Sequence, residues 1–89
     1  MENISDIEQK VLIEYPCSWQ YKIITMHEDH TKEAVLDVIN ERLHTLTHSH
    51  NSKGGKYISM NLDVLVHNED DRNFIYEALK AHHKTKMIL

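Results

Sequence analysis

Residues 56–66, Lys-Tyr-Ile-Ser-Met-Asn-Leu-Asp-Val-Leu-Val, constrain the fold more than any other stretch. Ile58, Met60, Leu62, Val64 and Val66 share one parity, while Tyr57, Ser59, Asn61, Asp63 and Leu65 share the other. Successive side chains of a strand point to opposite faces, so the pattern describes one buried face and one largely polar face. A strand with that pattern belongs in the middle of a sheet that helices cover on one side only.

The elements around it follow from caps and breakers. Ile4, Ile7, Val11 and Leu12, with Ser5 and Glu8 as a capping box, predict a short N-terminal helix or turn ended by Tyr15-Pro16. Trp19 to Met26 alternates as a first strand, with Trp19, Tyr21, Ile23 and Thr25 directed at the core. Polar residues 28–31 lead into a helix expected to reach about Leu46, its apolar stripe made of Ala34, Val35, Val38, Ile39, Leu43 and Leu46. Arg42 falls inside that stripe, which calls either for a guanidinium reaching to the rim or for a buried ion pair. Thr45 to Asn51 is polar enough for an edge strand, and Ser52-Lys53-Gly54-Gly55 turns it back into the organising strand. Asn68 caps a second helix, with Phe74, Ile75, Ala78, Leu79 and His82 facing inward, and Thr85 to Leu89 forms a last strand.

The order is β-α-β-β-α-β. It predicts an α+β, ferredoxin-like βαββαβ sandwich: a four-stranded antiparallel sheet with two helices on one face. The chain has 89 residues, enough for one such domain over residues 1–89 and little more.

Charge and cysteine content narrow the function classes. Ten Lys and Arg are scattered among fourteen acids, for a formal net charge of -4. Nucleic-acid binders and proteins of anionic membranes rely on basic faces, so neither partner is expected. A single cysteine, Cys17, precludes an internal disulfide, and the first residues lack the basic start and apolar core of a targeting segment. The expected location is cytoplasmic.

Tyr15-Pro16, Trp19-Gln20-Tyr21-Lys22-Ile23, residues 52–59 and the closing Lys86-Met87-Ile88-Leu89 resemble the small bacterial YbeD-like proteins, a family of unknown function. The resemblance spans essentially the whole chain. It implies a ferredoxin-like fold similar to the ACT domains that regulate amino-acid metabolism, and it brings no catalytic residues to carry over. The histidine-rich hairpin departs from that family pattern.

No catalytic constellation stands out, and the chain is expected not to be an enzyme. Cys17 has no flanking His and acid to lower its pKa, and Lys53-Gly54-Gly55-Lys56 lacks the spacing of a phosphate loop. Two binding surfaces remain. Lys22 and Ile24 on the first strand and Tyr57, Ser59, Asn61 and Asp63 on the third should share the open sheet face. That face suits a small-molecule ligand or a protein partner, and its apolar part also suits a second copy of the chain as a homodimer. The plainer reading is a solvated face with a Lys–Asp cross-strand pair.

The alternative is metal. Eight histidines is a high count, and His44, His48 and His50 share a parity that would gather imidazoles on one face for zinc, nickel or copper. Solvated, titrating histidines on an edge strand explain the same pattern without an ion. No cofactor is expected.

Overall fold

A computed structural model describes residues 13–51 and 54–89. The expected N-terminal helix lies outside the described residues. The remaining elements run β1 (Cys17–Thr25), α1 (Glu28–Ile39), β2 (His44–Asn51), β3 (Ile58–Val66), α2 (Glu69–Ala81) and β4 (Met87–Ile88). The four strands form one sheet in the order β2-β3-β1-β4, and every pairing is antiparallel. This is the ferredoxin-like βαββαβ arrangement, with β3 and β1 central.

The alternation of β3 acts as its pattern dictates. Met60, Leu62, Val64 and Val66 are buried on the helix side, and Tyr21, Ile23 and Thr25 of β1 join them. The core closes with Ala34, Val35 and Ile39 of α1, Ile75 and Leu79 of α2, and Ile88 of β4. Full burial of an aliphatic side chain contributes roughly 1.5–3 kcal/mol, so these few residues supply most of the driving force. The polar groups among them are paired. Thr25 Oγ1 donates to the His27 carbonyl at 2.8 Å, so the Thr31 hydroxyl, 2.7 Å away, must be the donor to Thr25. Tyr21 donates its hydroxyl to the Arg72 carbonyl at 2.6 Å. Burial pushes the Tyr21 phenol up to about 12.

The sequence places the start of α2 well, but residues 28–31, expected as a connection, already form the first turn of α1, and the end of α1 is misplaced. Asn68 caps α2 by accepting from the Asp71 amide at 2.7 Å, as expected. At α1 the cap is His27, whose Nδ1 accepts from the Asp29 amide at 3.0 Å. α1 stops at Ile39 because Asn40 adopts a φ of 59°, with its N–H returned to the Leu36 carbonyl. The helix therefore never reaches Leu43, which is exposed, or Leu46, which lies in β2. Phe74 is also exposed rather than inward, because the buried line of α2 runs through Ile75 and Leu79.

Arg42 is resolved as an ion pair. Its guanidinium binds the Asp71 carboxylate and donates to the Leu65 carbonyl at 3.2 Å, which ties the α1–β2 connection to the ends of β3 and the start of α2. The Arg42 hydrogen bond holds the Asp71 carboxyl below the usual carboxylate range, helped by the His67 amide at 2.9 Å. Among the described residues no helix is long and apolar enough to cross a membrane.

Candidate functional site

The face of the sheet away from the helices carries most of the residues that the alternation assigns to it. The β1–β3 register sets Lys22 opposite Asn61 and Ile24 opposite Ser59. Thr47 of β2 stands on the other side of Asn61. Tyr57 precedes β3, half-buried, with the Lys56 ammonium 5.4 Å from its ring centroid. The cross-strand ion pair expected here does not form. Asp63 faces Gln20, whose side-chain amide donates to it at 3.3 Å, one step along the register from Lys22. No ion pair to Lys22 occurs among the described residues.

Two polar atoms of this face are anomalous. Ser59 is only 6% exposed, and its Oγ has no hydrogen-bond partner. Asn61 Oδ1 is likewise buried and unpaired. Being two apart on one strand, the two side chains point the same way. A buried acceptor without a donor costs about 1–3 kcal/mol, and native proteins seldom tolerate it without a reason. Lys22, opposite Asn61 in the register, brings a cation to the same face.

The histidine reading changes more. Along β2, His44 pairs with Val64 and His48 with Met60, four residues or roughly 13 Å apart in an extended chain. One ion cannot bridge that span. A β-bulge then shifts the register, so that His50 stands opposite Ser59, a residue of the other face of β3. The shared parity of the three positions therefore does not survive in the backbone register. His44 Nδ1 lies 2.6 Å from the Arg42 carbonyl, which can only accept, so the proton sits on Nδ1.

Sequence reasoning missed a different cluster. Glu33 and Asp37 of α1 and His82 after α2 bring their ligand atoms within 4.8 Å of one another. His82 Nε2 lies 2.8 Å from Asp37, and His83 Nε2 lies 3.7 Å from Glu33. The two imidazoles stack at 4.6 Å instead of facing opposite ways, because His82 has already left helical geometry. The chemistry of the donors argues against an ion. His82 Nδ1 accepts from the Lys84 amide at 3.2 Å, which puts the ring proton on Nε2, where it donates to Asp37. Metal-bound imidazoles normally do the reverse, donating from the nitrogen that does not bind. The cluster clips the end of α2 to α1.

A second missed feature is a cleft of about 430 Å³ at the β4 side of β1. Trp19, Tyr21 and Tyr76 give it aromatic walls, and Arg72 is the one charged residue in its lining. The Arg72 guanidinium lies 4.4 Å from the centroid of the Trp19 ring. Trp19 and Arg72 are far apart in sequence, and no local pattern announces their meeting.

Fold and surfaces together define a small ferredoxin-like α+β domain with a polar outer sheet face and an aromatic cleft at one sheet edge. Residues 10–89 match the model of a family described as "Protein of unknown function (DUF493)", and the chain belongs to that family. It is 35% identical over 89 residues to an uncharacterized protein of Campylobacter jejuni, covering all of both chains. It is 31% identical to a UPF0250 protein of Neisseria gonorrhoeae, covering 88% of this chain and 90% of that one. The UPF0250 group includes YbeD, in keeping with the YbeD-like resemblance. The solution structure of protein HP0495 from H. pylori matches with a TM-score of 0.79 at 31% identity, covering 100% of this chain and 94% of that one.

Proposed function

We propose that this domain is a non-enzymatic binding module whose outer sheet face takes a small anionic metabolite, with a regulatory role of the ACT-like kind. The observation that carries the reading is the pair of buried, unpaired atoms Ser59 Oγ and Asn61 Oδ1, with Lys22 opposite Asn61 on the neighbouring strand. A ligand with a carboxylate or phosphate meets Lys22, and its hydroxyl or amine donors reach the two covered oxygens once the side chains over them shift. Ile24, opposite Ser59, gives the ligand's carbon skeleton an apolar seat. Asp63, already engaged by Gln20, borders the site and disfavours a second anionic group there. The proposal includes a cytoplasmic working place, supported by the free, half-buried thiol of Cys17.

The test is an amide NMR titration with pooled hydroxy and amino carboxylates and sugar phosphates. Shifts should cluster at Lys22, Ser59 and Asn61 and disappear in Lys22→Ala. A protein whose spectrum no pool perturbs at those positions does not bind in this way.

A further inference from the structure

We infer that His82 is a pH-operated latch on the α2–β4 connection: the neutral imidazole holds the turn of residues 82–85 shut, and its protonation opens it. The latch stands apart from ligand binding on the outer sheet face and does not depend on it.

Every polar group of His82 is committed. Its N–H donates to the Leu79 carbonyl at 3.2 Å, and its own carbonyl accepts from the Thr85 amide at 3.0 Å. In the ring, Nδ1 accepts from the Lys84 amide at 3.2 Å, and Nε2–H donates to Asp37 at 2.8 Å. A side chain that accepts from the amide two residues on is the bond of an Asx turn, made here by an imidazole. The His82 side chain is 8% exposed, whereas that of Asp37 is 54% exposed. Water therefore has little room to replace a partner that the ring loses.

The two ring contacts make opposite demands on the proton. The Lys84 amide needs a bare Nδ1, which the imidazolium does not have. The Asp37 carboxylate, with Glu33 alongside, favours the imidazolium. Those two acids of α1 and the stacked His83 of its own segment are the charged and titratable groups set against His82 among the described residues. A second proton on the ring turns Nδ1 into a donor facing another donor, so the ring keeps Asp37 and the turn gives way. Closure already carries a cost that opening relieves, because Thr85 Oγ1 is buried without a partner in the closed turn. The turn also leads straight into the sheet. Lys86 N–H donates to the Ile24 carbonyl at 2.9 Å, and Met87 and Ile88 pair with Ile24 and Ile23. Opening thus reaches the approach to β4.

The test is imidazole and amide NMR on the full isotope-labelled chain from pH about 8 to about 5, the range in which histidines change charge. At the upper end the His82 ring should carry its proton on Nε2. On acidification the Lys84 and Thr85 amides should move with the same midpoint as the His82 ring. Exchange protection of the Lys84 amide, corrected for its intrinsic pH dependence, should fall at least about tenfold across that transition. His82→Asn keeps an acceptor for the Lys84 amide and cannot titrate, so its turn should stay protected throughout. Asp37→Asn still accepts from Nε2–H but no longer favours the cation, so its turn should open at a pH lower by about half a unit or more. The second variant keeps the test valid if His82→Asn does not fold. A Lys84 amide that stays protected while the His82 ring titrates overturns the inference, as does a His82 proton found on Nδ1 at the upper end. An acid opening that persists in His82→Asn, or a midpoint unmoved in Asp37→Asn, overturns it too.

Discussion

The two faces of the β1–β3 pair share one backbone and treat polar groups in opposite ways. On the helix side, Thr25, Thr31 and the Tyr21 hydroxyl are buried and each is hydrogen-bonded. On the outer side, Ser59 Oγ and Asn61 Oδ1 are buried and neither is. Folding selects strongly against buried polar groups without partners, so the inner face is what a chain under selection for stability produces. The outer face gives up stability at two successive same-face positions of one strand. A surface that waits for a partner has that character, and the contrast separates the part of the sheet that holds the fold from the part that is kept for binding.

The contrast can be broken most forcefully from the inside. Leu62→Ala removes a fully buried side chain at the centre of β3 and should cost about 3 kcal/mol in urea unfolding. Asp71→Ala leaves the half-buried Arg42 without its carboxylate and should cost about 2 kcal/mol. Because the folded Asp71 carboxyl lies below its usual range, its contribution is present above pH about 4 and is lost as pH falls through the folded value. Acid titration of the wild type and of Asp71→Asn should therefore converge at low pH.

Tyr21→Phe should cost about 1–1.5 kcal/mol by removing the hydrogen bond from the buried phenol to the Arg72 carbonyl. The raised phenol gives a matching alkaline signature. Its contribution is complete below the unfolded value of about 10 and fades as pH rises toward about 12, so the mutant should lose this limb of the stability profile. Thr31→Val deletes one inner hydroxyl bond and should cost about 1 kcal/mol. Ser59→Ala is the sharpest comparison although its effect is smallest. It should leave stability unchanged or raise it by less than about 1 kcal/mol, since it removes an unpaired buried oxygen. If Ser59→Ala destabilises as much as Thr31→Val, the two faces are not different in kind.

Much of the framework was legible because period-two alternation and helix caps are local signals. Residues 56–66 announced β3, Trp19 to Thr25 announced which side of β1 is buried, and Asn68 announced α2. The end of α1 was misread because apolar Leu43 and Leu46 continue the helical stripe past Asn40, although an Asn at that place is itself a stop signal. The parity of His44, His48 and His50 failed at a bulge, which inserts one residue and has no compositional mark here. The His82–Asp37 clip and the Trp19–Arg72 cleft are tertiary meetings of residues distant in sequence, and no local pattern encodes them. Of the outer face, the membership was readable from parity. Its unsatisfied oxygens were not, because satisfaction depends on register and neighbours.

The bulge at the His48–His50 step has a consequence for assembly. β2 and β4 are the two edges of this sheet. A regular edge templates another strand, and a protein with two such edges can propagate as a ribbon. Here the β2 edge is thrown out of register by an inserted residue, while the β4 edge is the two-residue strand Met87–Ile88. Neither edge offers the long, regular ladder along which copies of a sheet stack into fibres.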